Sequence, residues 1–235
     1  MIQRRRMGIL LPSSNVTMEY EMPLMAPSGV SFHFSRIPVT EATEEQLSNM
    51  ISYIPEKSEL LAHARVDVIC FGCTSGSFVK GINYDKKVIK TIEDSVGITA
   101  TTTSTAVIDA LKVAGLKKLS VGAPYGDSIL MKLKNFLEES GFEVVKIKGL
   151  NMLHGDEGDL SLDVTYKLIR EINSNKAEGI FISCTDFKTV ELINIIESDF
   201  GKNIITSNQA TMWKLLRLSG MKTQVSSFGS LLRDY

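Results

Sequence analysis

The sequence lacks the features that would indicate a membrane or nucleic-acid-binding protein. Its longest apolar runs, such as residues 7–12 and 66–73, are far too short to cross a bilayer. Lysine and arginine number 26 against 27 aspartates and glutamates, so the formal net charge is −1 and there is no basic surplus. We therefore expect neither a membrane nor a nucleic acid among the partners of this chain.

Common cofactor and metal motifs are also missing. No Gly-x-Gly-x-x-Gly follows a strand pattern, and no phosphate-binding loop ends in Gly-Lys-Ser/Thr. His33, His63 and His154 have no metal-ligand spacing with one another or with a cysteine. The segment from Gly72 to Gly76 has the glycines of a nucleophile elbow, but threonine stands where a serine hydrolase needs serine. We expect a protein that works without a cofactor or a metal.

Cysteine is scarce, and its three copies, Cys70, Cys73 and Cys184, cannot all pair. We interpret them as reduced thiols in a cytoplasmic protein. Cys70 lies inside an apolar run and is predicted to be a small buried hydrophobe. Cys73 and Cys184 each follow an apolar run, where core packing alone is the commoner explanation for a single cysteine.

What the sequence does have is an alternation of short apolar segments with helical periodicity, which predicts an α/β fold with parallel sheets covered on both faces. The predicted strands are Met7–Leu11, Val66–Gly72, Leu119–Ala123, Glu143–Ile147 and Gly179–Ser183. The predicted helices lie near residues 43–64, 85–95, 104–114, 127–140, 160–174, 187–199 and 209–219.

An internal repeat organises these elements. Three pairs of segments match in the same order and at nearly the same separation: Met7–Asn15 with Leu119–Asp127, Val66–Thr74 with Ala177–Thr185, and Thr105–Gly115 with Ala210–Gly220. The repeat predicts two pseudo-symmetric, doubly wound parallel-sheet lobes. We assign residues 1–103 and 206–235 to the first lobe and residues 104–205 to the second.

Because ligands of open α/β sheets bind beyond the carboxyl ends of the strands, the repeat places Cys73 and Cys184 at one cleft between the lobes. Two cysteines at equivalent positions favour chemistry over packing. Thr74 and Ser75 begin a small turn whose N–H groups could hold an anion and lower the pKa of the Cys73 thiol. Thr185 is predicted to cap a helix whose positive end would lie at Cys184.

The motifs resemble those of the aspartate/glutamate racemase superfamily, and within it the branch of maleate cis-trans isomerases and arylmalonate decarboxylases. The matching segments are Gly8–Asn15, Cys73–Ser77, Ala123–Tyr125, Cys184 with the residues that follow it, and Ser207–Gly220. The resemblance implies a two-lobed α/β fold in which two cysteines flank a small dicarboxylate substrate. Decarboxylases of this branch usually lack the first cysteine, so Cys73 argues against decarboxylation. We also expect a homo-oligomer.

The resemblance favours conversion of maleate to fumarate, in which Cys73 forms a covalent adduct and Cys184 handles the proton at the adjacent carbon. Predicted substrate-binding residues are Asn15, Thr74, Ser75, Tyr125, Thr185 and His154. His154 is placed where the isomerases carry an asparagine that contacts substrate.

Three alternatives remain open. The first is an aspartate/glutamate, related amino-acid or hydantoin racemase, in which Cys73 and Cys184 act as an acid–base pair and Asp186 faces the ammonium group. The others are an arylmalonate decarboxylase-like enzyme and a protein that only binds a dicarboxylate.

Overall fold

The computed structural model describes residues 4–41, 43–152 and 157–235, in which two parallel four-stranded sheets carry the fold. In the first sheet the spatial order is β2-β1-β3-β4. Its strands are β1 (Arg5–Pro12), β2 (Val30–Ile37), β3 (Val68–Phe71) and β4 (Ala100–Thr102).

The second sheet repeats this arrangement with the order β6-β5-β7-β8, and every neighbouring pair is parallel. Its strands are β5 (Lys118–Ala123), β6 (Glu143–Gly149), β7 (Gly179–Ile182) and β8 (Asn203–Thr206). The predicted α/β class and its two sheet-containing lobes are confirmed. The assignment of residues 1–103 with 206–235 to one lobe stays a prediction.

Helices follow the strands and cover both faces of the sheets. They are α1 (Met18–Met25), α2 (Glu44–Asn49), α3 (Ile54–His63), α4 (Thr74–Phe78), α5 (Tyr84–Val96), α6 (Thr103–Val113), α7 (Asp127–Glu139), α8 (Leu162–Ile172), α9 (Ile193–Phe200), α10 (Ser207–Leu218) and α11 (Gly229–Asp234). No helix in the described ranges is long and apolar enough to cross a membrane.

The repeated segments occupy equivalent places. Helix α6 follows β4 as α10 follows β8, and the two helices pack against each other. The central strands β3 and β7 are buried along their whole length, which explains their nearly continuous apolar sequences.

Two predicted helices have different boundaries. The segment near 43–64 is divided into α2, a 3₁₀ turn at Met50–Tyr53 and α3. Pro55 lies in the first turn of α3, where its missing N–H needs no partner, so it favours a new helix start. The segment near 187–199 begins only with a 3₁₀ turn at Val190–Leu192, followed by α9.

Candidate active site

The strand ends of both sheets converge on one buried region between the lobes. Asn15 follows β1, Cys73 follows β3, Tyr125 follows β5 and Cys184 follows β7. Cys73 is 3% exposed and Cys184 is 8% exposed. The prediction that the two thiols lie at equivalent strand ends agrees with this placement.

Cys73 is held at the start of α4. Its Sγ accepts a hydrogen bond from Gly76 N at 3.3 Å and lies 3.8 Å from Ser75 Oγ. The predicted flexible turn is wrong, because the segment forms a short helix whose residues are all buried. The predicted depression of the pKa is also wrong. Burial raises the pKa of the Cys73 thiol to about 11, against the opposing hydrogen bond from Gly76.

Cys184 has an uncommon backbone conformation, with φ of 119°. A side chain is disfavoured at this φ, so the surrounding structure must hold the residue in place. Cys184 N donates to Ser207 Oγ at 3.1 Å, and its Sγ accepts from Asp186 N at 3.4 Å. Burial raises the pKa of this thiol, and the nearby Glu157 and Asp186 carboxylates raise it further.

The prediction that Thr185 caps a helix is wrong. The residues after Cys184 form a turn, because their side chains bond to the opposite lobe instead of to their own backbone. Thr185 Oγ1 donates to Gly72 O at 3.1 Å and accepts from Asn15 Nδ2 at 3.1 Å. Asp186 Oδ1 accepts from the backbone N–H groups of Val16 and Thr17 at 2.8 and 2.9 Å.

Asn15 also links the lobes, and Thr74 joins the same network through Ser207. While Asn15 Nδ2 reaches Thr185, its Oδ1 accepts from Met18 N at 2.9 Å. Thr74 Oγ1 donates to Ser207 Oγ at 2.9 Å, so Ser207 contacts the loops of both cysteines. Among the predicted binding residues, Asn15, Thr74 and Thr185 therefore lie in one network.

Tyr125 lies beside both thiols. Its hydroxyl is 3.2 Å from Ser183 Oγ, and its ring packs edge-on against Phe78 with centroids 6.3 Å apart. Burial raises the pKa of Tyr125, with smaller contributions from Cys184 and Cys73, so the phenol is neutral and able to donate. His154 lies outside the described residues. In the ranges that the structure describes, no cluster of three histidine, cysteine or carboxylate side chains could hold a metal.

Sequence reasoning missed several polar residues of this region. They are Glu21, Glu157, Ser183, Ser207 and Asn208, all buried. The segment containing Ser207 and Asn208 was matched to the superfamily, but no role was derived for either residue. A sequence prediction that included strand β8 would have placed Ser207 and Asn208 at the end of the strand beside β7, which Cys184 follows.

Comparison with known proteins assigns the family. A family model described as arylmalonate decarboxylase matches residues 7–232. The chain belongs to the arylmalonate decarboxylase family. The resemblance predicted from the motifs is thereby confirmed.

Relatives in and around the arylmalonate decarboxylase family carry two activities. A maleate isomerase from Geobacillus stearothermophilus is 26% identical over 250 residues, which cover 99% of this chain and 98% of that protein. The arylmalonate decarboxylase of Bordetella bronchiseptica is 22% identical over 216 residues, covering 90% and 86%. Membership of the family therefore leaves the reaction to be decided by the site.

A solved structure shares the whole fold. It is a cysteine-to-serine mutant of the Nocardia farcinica maleate cis-trans isomerase with a covalently bound succinylcysteine intermediate. It superposes with a TM-score of 0.94 at 22% identity, covering 98% of this chain and 99% of that chain.

Proposed function

We propose that this protein is a cofactor-independent isomerase that converts maleate to fumarate. The observation that carries the proposal is the pair of buried thiols, Cys73 and Cys184, at equivalent strand ends beside one interlobe region. The maleate isomerase relatives at full-length coverage support the same reaction.

Burial keeps most Cys73 protonated at neutral pH, so the first step begins from the deprotonated fraction, whose thiolate attacks one alkene carbon of maleate. A C–S bond forms, and the π electron pair moves to the adjacent carbon, where the neighbouring carboxylate stabilises it. Cys184 donates its thiol proton to that carbon, which leaves a succinyl adduct on Cys73 and a thiolate at Cys184. The former double bond is now a single bond about which the adduct rotates.

The second step reverses the first from the rotated conformer. The Cys184 thiolate removes the proton from the same carbon, the electron pair restores the double bond, and the C–S bond breaks. Fumarate leaves, and Cys73 returns as a thiolate. No oxidant, reductant or cofactor enters this sequence.

Neutral donors suit the two carboxylates of the substrate. Asn15 offers an amide, Tyr125 a phenol, and Thr74, Ser75 and Thr185 offer hydroxyls within the buried region. Neutral donors bind a dianion without forming a permanent ion pair that would oppose product release. We assign these five residues to substrate binding.

Removing each thiol in turn tests the division of labour. Cys73→Ala should abolish both adduct and turnover. Cys184→Ala should form, with a proton taken slowly from water, a Cys73 adduct that fails to release product. Intact-mass spectrometry after exposure to maleate measures the adduct, and chromatographic separation of fumarate from maleate measures turnover. Cys70→Ala is the matched control, because it removes the third buried thiol within β3 and should retain turnover.

An adduct on Cys184 in the Cys73→Ala protein, with none on Cys73 in the reciprocal variant, would show that the roles are reversed. Intact wild-type thiols with no turnover of maleate would exclude the isomerase.

A racemase is the second candidate, and one observation favours it. Asp186 Oδ2 is buried and has no hydrogen-bond partner among the described residues, which leaves an oxygen that could face a substrate ammonium group. In ²H₂O, a racemase would exchange the Cα hydrogen of L-aspartate or L-glutamate, which mass spectrometry detects. The isomerase has no reason to do so, and we expect no exchange.

A further inference from the structure

Glu21 is a buried carboxylate on α1 that the proposed reaction does not use. It is 0% exposed, although it lies at the junction of the two lobes. Its Oε1 accepts from Thr189 N at 2.7 Å and Val190 N at 3.1 Å. Its Oε2 accepts from Asn208 Nδ2 at 2.6 Å. These donors come from the loop after Cys184 and from the start of α10.

Asn208 connects Glu21 to Thr185, the residue that follows Cys184. The same Nδ2 that reaches Glu21 also donates to Thr185 O at 3.0 Å. Asn208 Oδ1 has no hydrogen-bond partner in the described part of the chain. Both contacts of the amide nitrogen are to acceptors, so Glu21 and Thr185 together orient the Asn208 side chain, with the shorter contact to Glu21.

The backbone that Asn208 contacts is the strained part of the site. Cys184 at φ of 119° is followed directly by Thr185, and such a conformation persists only where several contacts fix it. Ser207 Oγ fixes the amide of Cys184, and Asn208 fixes the carbonyl of Thr185. Adjacent residues of α10 thus hold both sides of the strained turn.

We propose that Glu21 is a positioning residue that orients Asn208 and thereby holds the Cys184 thiol in place for proton transfer. The inference rests on the proposed function for the step it governs, although the position of the thiol can be measured without substrate. Glu21 itself contacts neither thiol in this network.

The test is Glu21→Gln, which preserves size and removes one acceptor. The glutamine oxygen can still accept from Thr189 and Val190, but its amide nitrogen then faces the amide nitrogen of Asn208. Two donors oppose each other, so Asn208 must turn and release Thr185 O. Burial raises the pKa of Glu21 to about 7, so turnover is measured at about pH 8, where the carboxylate predominates. Turnover of maleate should fall about 10- to 100-fold, as for loss of a hydrogen bond to a charged group. Formation of the Cys73 adduct should fall less than turnover, because the C–S bond forms at the other thiol and water can supply the proton slowly, whereas product release needs the Cys184 thiolate as base.

A second measurement uses iodoacetamide, a small neutral thiol reagent, on the protein without substrate. Mass mapping gives the ratio of the alkylation rates of Cys184 and Cys73. This ratio should change by more than about threefold in Glu21→Gln, and Asn208→Ala should shift it similarly. Because Glu21 is proposed to act through Asn208, the double variant Glu21→Gln/Asn208→Ala should change the alkylation ratio by less than the two single variants would together.

Glu197→Gln is the matched control, since Glu197 also bridges backbone and side-chain donors but holds Ser230 at α11, away from the thiols. It should leave the ratio unchanged. If Glu21→Gln fails to fold, Asn208→Ala decides the question.

An unchanged alkylation ratio in folded Glu21→Gln and Asn208→Ala would overturn the inference. Equal loss of adduct formation and of turnover in Glu21→Gln would also overturn it. If the wild-type protein forms no maleate adduct, the proposed function fails, and the alkylation ratio alone decides the role of Glu21.

Discussion

At the scale of single residues, the ionisation of Cys73 governs its reactivity. Its pKa is raised from 9.0 to about 11, so the thiol is protonated at neutral pH and the thiolate fraction rises with pH. The alkylation rate of Cys73 should therefore increase about tenfold per pH unit between pH 7 and 10. Iodoacetamide labelling followed by peptide mass mapping measures this slope. A plateau reached below pH 8 would instead indicate the depressed pKa that the sequence suggested.

Cys184 permits a prediction about stability that reverses the usual order of glycine and alanine. At φ of 119° any side chain is strained, and glycine relieves the strain. After allowance for the greater flexibility of glycine in the unfolded chain, Cys184→Gly should be about 1 kcal/mol more stable than Cys184→Ala. Urea denaturation of both variants gives the difference.

Cys70 supplies the control for this comparison, because it lies in the regular strand β3. There Cys70→Gly should be less stable than Cys70→Ala by about 1 kcal/mol. The same order at both positions would contradict strain at Cys184.

At the scale of elements, most of the predicted strands have continuous apolar sequence, and the exception is the edge strand β6, which is predicted from Val144, Val145 and Ile147. Strands β3, β5 and β7 are buried, and their apolar residues identify them as strands from the sequence alone. The missed strand β2 lies at a sheet edge with mostly half-buried residues, and β4 and β8 have only three and four residues. Segments this short show no periodicity, and β4 and β8 contain threonine or asparagine in place of the uninterrupted apolar runs that reveal the four-residue strands β3 and β7.

The helix predicted after Cys184 begins later than expected for a different reason. Thr185 is a good helix cap by local preference, and the apolar spacing beyond it is helical. In the folded chain its hydroxyl contacts Gly72, and Asp186 accepts from Val16 and Thr17. Contacts with the opposite lobe therefore override the local preference and delay α9 until Ile193.

At the scale of the whole molecule, the repeat accounts for what was predicted about the site. Because the repeat places them at equivalent strand ends, it predicts that Cys73, Cys184, Asn15 and Tyr125 lie in one region, although it says nothing of their contacts. Residues such as Glu21 and Asn208 were out of reach, because they are far apart in sequence and belong to no repeated segment. Their importance arises from packing between lobes, which leaves no local pattern.

The network that joins the lobes has a consequence for ligand selectivity. Asn15 and Thr185 already bond to each other across the interface, and Thr74 bonds to Ser207. A ligand that takes the hydroxyl hydrogen of Thr74 or Thr185 must displace its present acceptor, Ser207 or Gly72, because a hydroxyl has one hydrogen to donate. Binding then exchanges one set of hydrogen bonds for another of similar number. The net affinity for a fully matching molecule is then modest. A molecule that lacks one of the two matching acceptors breaks a hydrogen bond of the protein without replacing it. The donor group left without a partner is costly, so such a molecule binds much more weakly. The closed interface thus discriminates between ligands by whether every hydrogen bond broken on binding is replaced.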